Sequence, residues 1–265
     1  MKKIHFLMAF SMIGMQMLAQ TTTKDSVQLD EVVVTGSKVE ISRKVVPISV
    51  SQISKQEIEN TGNINVLTTL NAYVPGIFVT QRNVLGFGVS TGGSGGMTLR
   101  GIGGAPNTEI LVLIDGHPQY QGIFGHPLPD AYVASDVAKV EIIRGPGSFL
   151  YGSNATVSVI NIKTKKNSQK TIEGRIGARI GSFGTFSQNG IVNGKIDKFT
   201  YQVSASNEKS DGISSAEGPD SFDKDGYEKQ NINAIFGVQL GKVNLNFNGG
   251  YQHHFYDYDN GAFSD

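Results

Sequence analysis

From Thr171 to Phe255 apolar and polar side chains alternate almost one by one, and a period of two leaves little choice of local structure. In "TIEGRIGARIG" the residues Ile172, Gly174, Ile176, Ala178 and Ile180 share one face, while Glu173, Arg175 and Arg179 share the other. "KFTYQVSAS" sets Phe199, Tyr201, Val203 and Ala205 against Thr200, Gln202 and Ser204, and "NINAIFGVQL" and "VNLNFNGGYQHHF" repeat the pattern. Successive side chains of a strand point to opposite faces, so each segment is a strand with one apolar and one polar surface. With "TFSQNGIVNGKI" this makes about five strands of ~10 residues, the length that crosses a bilayer when the strand is tilted. The connections "IDK" and "GK" are short, while the stretch 207–229 is long and polar. Barrels that cross membranes have this asymmetry of connections. A soluble β-sandwich also alternates, but Phe183, Phe186, Phe199, Tyr201, Phe255 and Tyr256 gather near strand ends, where aromatic girdles belong.

The first residues agree with export. Lys2 and Lys3 precede the apolar run Ile4–Leu18, which ends at Ala19-Gln20. This is the layout of a secretory leader, assigned to residues 1–20, and its ~15 apolar residues fall short of the ~20 that a spanning helix needs. Elsewhere no segment is long and apolar enough for a membrane helix, so a mature chain living in a membrane has to cross it with strands. Lys+Arg and Asp+Glu are 23 each, which gives zero net charge and no concentrated basic surface for nucleic acid. The absence of cysteine excludes a disulfide framework, a thiolate metal site and a lipidated cysteine.

Between leader and alternating strands lies a mixed α/β region. "LDEVVVTGSK" is an isolated valine run without an evident partner strand; it reads either as an edge strand or as a peptide that adds itself to another protein's sheet. Ser54 and Glu57 form the pattern of a capping box at the start of a short helix, and Pro75-Gly76 ends a second one. "EILVLIDGHP" is a buried strand closed by an Asp-Gly turn. "VEIIRGPGSFLYGSNATVSVINIKTKK" then packs two strand-like runs around Arg-Gly-Pro-Gly and Tyr-Gly. Asp115, His117 and Ser148 invite a triad reading, yet no G-x-S-x-G surrounds the serine, and "GGSGG" lacks the Lys-Ser/Thr of a phosphate-binding loop, so no enzyme is expected.

Taken together, "DEVVVTG", "VPISVSQISKQEI", "VPGIFV", "MTLRGIG", "ILVLIDGHP" and "VEIIRGPGSFLYGSNATVSVINI" resemble, in this order, the motifs of TonB-dependent receptors of the Gram-negative outer membrane. The match runs from residue 30 to about 255. One departure stands out: Asn154–Ser158 replaces the Gly-Ala-x-Gly-Gly common before the family's V-I-N-I strand, which puts side chains where close backbone packing is usual. The resemblance implies an α+β plug domain at 41–166 inside a 22-stranded antiparallel transmembrane β-barrel that starts at 167–265, preceded by a TonB-box segment at 21–40. Twenty-two strands need ~220 residues and 265 − 170 = 95 follow Lys170, so the barrel is expected to be incomplete here.

By the same resemblance Asp30, Glu31, Val32, Val33, Val34 and Thr35 are the TonB box, and Arg100 and Arg144, with Glu141, are the lock between plug and barrel. The planar fork of an arginine suits that role because it can grip a wall carboxylate with two hydrogen bonds, although local bonds to loop carbonyls are the plainer use. Gly116–Pro129, with His117, Gln119, Tyr120 and His126, is the expected solute-facing segment. Its two histidines are in principle metal ligands, but turn histidines in structural hydrogen bonds are commoner. The implied activity is import of a scarce solute (siderophore, haem, cobalamin or glycan), with TonB, the small-molecule substrate and outer-membrane lipid as partners and no cofactor. The alternative is a receptor for adhesion or signalling that transports nothing.

Overall fold

The structure is a computed structural model that describes residues 32–33, 35, 41–42, 47–80, 96–104, 107–119, 129–134, 137–164, 170–213 and 224–257. The chain divides into two units, Met1–Glu31 and Val32–Asp265, and every described residue belongs to the second.

The first described segments, β1 (Val32–Val33) and β2 (Ile41–Ser42), form a small antiparallel ladder. Strand β3 (Val50–Ser54) runs straight into helix α1 (Lys55–Thr61). Ser54 caps the helix as the sequence pattern predicts: its hydroxyl accepts from the Glu57 N–H, and the Glu57 carboxylate accepts from the Ser54 N–H at 2.7 Å. Two orphan donors are thereby satisfied. Helix α2 (Val66–Tyr73) follows and stops before Pro75. A small sheet comes next, built from β4 (Ile77–Val79), β5 (Met97–Leu99) and β6 (Ile102–Gly104).

Four further strands, β7 (Ile110–Ile114), β8 (His117–Pro118), β9 (Val137–Ile143) and β10 (Ser158–Thr164), join β3 in the larger plug sheet. Its order is β3-β9-β10-β7-β8, and only β7 and β10 pair in parallel. Both faces are covered, so the strands read as nearly continuous apolar runs. On one face Ile53, Ile110, Val112, Val140, Ile142, Ile160 and Ile162 pack with Ile58, Leu67 and Leu70 of the helices. On the other, Leu111, Leu113, Ile143 and Val159 pack with Ala155 and with Tyr151 of the one-turn helix α3 (Ser148–Tyr151). The substituted segment Asn154–Ser158 keeps its packing. Ala155 closes the 3-10 turn Ser153–Ala155 and is fully buried, and the Ser158 hydroxyl donates to the Ile143 carbonyl at 2.6 Å. The close approach survives at Gly147 instead, where an added Cβ would stand 2.5 Å from a Val159 methyl.

The alternating region forms one antiparallel sheet of β11 (Glu173–Ile180), β12 (Phe186–Ile196), β13 (Phe199–Ser210), β14 (Tyr227–Leu240) and β15 (Val243–Tyr256), in sequence order. Register carries the alternation across the sheet. Gly194↔Tyr201↔Phe236↔Phe247 and Val192↔Val203↔Ala234 line the outward face. Asn193↔Gln202↔Ile235↔Asn248 and Ser187, Ser204, Ser206 and Asn231 line the inward one. The polar inward residues Ser187, Asn193, Gln202, Ser204, Ser206 and Asn231 are buried, while Ile176 is 90% and Phe247 66% exposed. This is a protein turned inside out, as a barrel in lipid requires. The connections 197–198 and 241–242 are two-residue turns at one end, and 211–226 is a long connection at the other.

The plug touches the inward face directly. Arg175 of β11 pairs with Glu59 of α1, which also pairs with Lys55, and Gln252 of β15 donates to the Ala131 carbonyl at 2.7 Å. Partial burial alone would raise the Glu59 pKa, but Lys55 and Arg175 hold it below the usual 4.5. An arginine placed in the middle of the outward face tests its assignment to lipid. Phe236→Arg should cost about 2–4 kcal/mol of folding free energy in phospholipid vesicles. Reversible urea titration of the receptor in vesicles measures this, and an unchanged midpoint contradicts the lipid-facing assignment.

Candidate coupling site on the plug

Two polar residues interrupt the apolar plug strands, Glu141 in "VEII" and Asn161 in "VINI". Register puts them side by side in a row that crosses the sheet, Gln52↔Glu141↔Asn161↔Leu113. Their side chains share the face of Ile143 and Val159, opposite the helices. Glu141 is 0% and Asn161 1% exposed. A carboxylate so deeply buried must be compensated, because desolvation of an isolated charge is very costly.

Part of the compensation is local: Lys139 Nζ lies 2.7 Å from Glu141 Oε1. The rest comes from far away in sequence. Thr35 donates to Glu141 Oε2 both from its backbone N–H, at 2.8 Å, and from its hydroxyl, at 2.5 Å. Asn161 Nδ2 donates to the same hydroxyl at 2.9 Å, and the Tyr151 hydroxyl donates to the Thr35 carbonyl at 2.9 Å. Every polar group of Thr35 is thus engaged by a plug side chain, and Thr35 is fully buried. Burial pushes the Tyr151 pKa up, and the nearby Glu141 charge adds to the shift, so the phenol stays a donor.

The expected TonB box therefore divides. Asp30, Glu31 and Val34 lie outside the described residues. Val32 and Val33 form β1, which pairs with β2. The valine run has a partner after all, supplied by the chain a few residues on.

The expected lock residues stand at separate places on the plug. Arg144 donates from Nη2 to the Ser49 hydroxyl at 2.8 Å, and its backbone N–H reaches the Ser49 carbonyl; its Nε is buried with no hydrogen-bond partner among the described residues. Arg100 is exposed in the β5–β6 turn at φ 55°, with its N–H bonded to the Gly76 carbonyl. Alternation along β9 turns Glu141 to the face of Lys139 and Ile143, where Thr35 and Asn161 are among its neighbours.

Of the expected solute-facing residues, Tyr120 and His126 lie outside the described residues. His117 and Gln119 follow the two-residue turn Asp115-Gly116, whose φ values of 51° and 87° are both positive, the mirror-image turn that suits a tight hairpin. His117 is exposed, and Gln119 donates to its carbonyl at 2.9 Å. No group of three metal-ligating side chains occurs among the described residues. Gln119 also borders a cleft of about 370 Å³ between plug and wall, with Tyr132, Thr164, Asn233, Asn248 and Gln252. Burial pushes the Tyr132 phenol well above its usual pKa.

On the wall, His254 rather than His253 faces inward, 3.0 Å from Asn231 Oδ1 and edge-on to Tyr256. Lys229 lies over the Tyr227 ring at 4.8 Å and the Tyr256 ring at 5.6 Å. Asn161, Tyr151 and the seating of Thr35 escape a reading by motif. The available signal was the pair of polar residues inside apolar strands, since a buried polar group is the informative departure from an apolar core.

A plug sheet docked on strands that are apolar outside and polar inside defines a plugged membrane barrel. Residues 42–159 match the family described as TonB-dependent Receptor Plug Domain. The chain is 27% identical over 255 residues to the vitamin B12 transporter BtuB of Photobacterium profundum, covering 96% of this chain and 40% of that protein. Its fold is similar to that of the ferripyoverdine receptor of Pseudomonas aeruginosa (TM-score 0.63, 17% identity, 84% of this chain and 27% of that one). It is likewise similar to the alcaligin receptor FauA of Bordetella pertussis (TM-score 0.63, 19% identity, 84% and 35%). Residues 42–159 thus carry the plug domain of a TonB-dependent receptor, followed by strands similar to those of the barrel, and the chain spans 40% of the length of the B12 transporter it matches.

The Glu141 seat can be tested by itself. Glu141→Leu strands the donors of Thr35 and should cost the plug about 1–3 kcal/mol, while Glu141→Gln, which still accepts at its amide oxygen, should cost less. Amide exchange in β9 and β10 of the folded receptor reports both. Equal protection in the parent and in Glu141→Leu contradicts the assignment.

Proposed function

We propose that the chain gates and energises the import of a scarce solute across the outer membrane. The observation that carries this reading is the plug seated on the polar face of β11–β15, with the expected TonB-box strand folded back onto it. In this reading the long connection 211–226 lies outside and the two-residue turns lie in the periplasm, as in barrels of this class. Solute settles on the segment 116–129 and the inner wall, TonB takes the segment Asp30–Thr35 by strand pairing, and the plug rearranges. The β1–β2 ladder has two residues on each side. So short a ladder is marginal by itself, which supports its exchange for the longer edge of a partner sheet.

The transporter of vitamin B12 and the siderophore receptors among the similar proteins support cobalamin or a ferric siderophore as cargo, with haem and glycans as the remaining classes. Uptake of each labelled solute by a deletion strain, with and without the restored receptor, tells them apart. Transport of none, with surface binding intact, would favour the adhesive or signalling role.

Coupling to TonB can be checked on a peptide. One spanning Asp30–Thr35 should be captured by the C-terminal domain of TonB, and Val33→Pro, which removes a ladder donor, should weaken capture by at least about tenfold. Equal capture of both peptides defeats the assignment. Arg144 is proposed to meet a barrel carboxylate through its buried Nε, so Arg144→Ala should raise protease cleavage of the plug and lower uptake. If neither changes, the lock role is wrong.

A further inference from the structure

Asn161 has two faces. Its Nδ2 donates to the Thr35 hydroxyl at 2.9 Å, and its Oδ1 accepts from the Gly116 N–H at 3.1 Å. One buried amide therefore holds the end of the expected TonB box and the Asp115-Gly116 turn, two points 81 residues apart in sequence (116 − 35). The turn is fixed independently on its other side. The Asp115 carboxylate accepts from the N–H and the hydroxyl of Thr164, at 3.2 and 2.5 Å, and the Asp115 N–H reaches the Ile162 carbonyl. His117 and Gln119 leave directly from this turn.

We propose that Glu141, Tyr151 and Asn161 form a seat specific for Thr35, and that Asn161 makes the occupancy of that seat and the geometry of the Asp115-Gly116 turn one equilibrium. The argument is about satisfaction of polar groups. With Thr35 seated, Asn161 is bonded on both sides and cannot rotate without losing both partners at once. With Thr35 withdrawn, Glu141 Oε2 loses two donors, and the Asn161 amide loses its acceptor inside a packed sheet. A buried polar group left unmade is costly, so the amide turns toward whatever acceptor remains or admits water, and its bond to Gly116 slackens. Read the other way, a solute that shifts the turn pulls on Asn161 Oδ1 and weakens the hold on Thr35. Coupling between two sites is reciprocal in free energy, and here a single side chain carries it. This deepens the import reading and rests on it for its biological meaning, but the seat and its link to the turn can be measured without TonB or solute.

The described chain has no cysteine, so Val33→Cys offers a single labelling site in this part of the receptor, with any cysteine elsewhere replaced. In outer-membrane vesicles carrying the full receptor, the rate at which maleimide labels this position is the reference. Thr35→Val, which keeps the backbone bonds and loses the hydroxyl, and Asn161→Asp, which loses the donor to Thr35 and keeps an acceptor for Gly116, should each raise the labelling rate at least about tenfold. Exchange of the amides in 115–119, read by mass spectrometry, should quicken in Thr35→Val, while 110–112 and 158–160 stay protected and show an intact sheet. Unchanged labelling in both variants overturns the seat. Faster labelling with unchanged exchange in 115–119 overturns the link through Asn161. Failure of TonB to capture the Asp30–Thr35 peptide would strike the import reading alone and leave both of these results standing.

Discussion

A strand in hydrocarbon must have its backbone bonded within the protein, and this one requirement organises the chain from residue 171 on. Strands β12–β14 meet it by pairing on both sides in simple sequence order, and β11 and β15 pair on their inner edges. Once that is done, side chains sort by face alone: Ile176, Phe236 and Phe247 go outward, and Gln202, Ser204 and Asn231 go inward. The inward face is then a polar surface in need of a polar cover. The plug provides one through Glu59 against Arg175 and through the Ala131 carbonyl against Gln252.

The plug answers a different demand. On the proposed import reading it has to be stable enough to stay folded and still be able to rearrange. The sheet face beneath the helices is aliphatic, and nothing there invites change. The opposite face holds Glu141 and Asn161, a charge and an amide in a row of the sheet where apolar side chains would have packed more simply. Replacing such buried polar groups with apolar ones is often neutral or stabilising in proteins generally. Their presence fits the proposal that the group they hold, Thr35, is released in use.

Much of this is legible in the sequence. Alternation marks the five wall strands and their outward residues, because period two has only one structural meaning. The Ser54–Glu57 pattern marks the cap, and Asp115-Gly116 marks the turn. What pattern does not carry is contact between distant segments. Glu141 enters the expected lock by resemblance alone, and nothing local to "VEII" announces that parity along β9 sets it beside Thr35. The valine run reads as solitary because its partner, Ile41–Ser42, has no strand signature of its own. Thr35 carries no local signal of burial, and only the convergence of two plug strands and a one-turn helix gives it a place.

The pairing of β1 with β2 has a mechanical side. Val32 pairs with Ser42 and Val33 with Ile41, so the ends that continue toward the N-terminus and into the plug emerge together. Tension applied ahead of Val32 therefore peels the ladder one bond at a time, as a zipper opens, rather than shearing all its bonds at once. The ladder yields at low force and Thr35 is the next point held, so tension arrives at a single residue gripped by Glu141, Tyr151 and Asn161. A chain laid out in this way gives slack first and resistance second, and the resistance is located on the plug sheet itself.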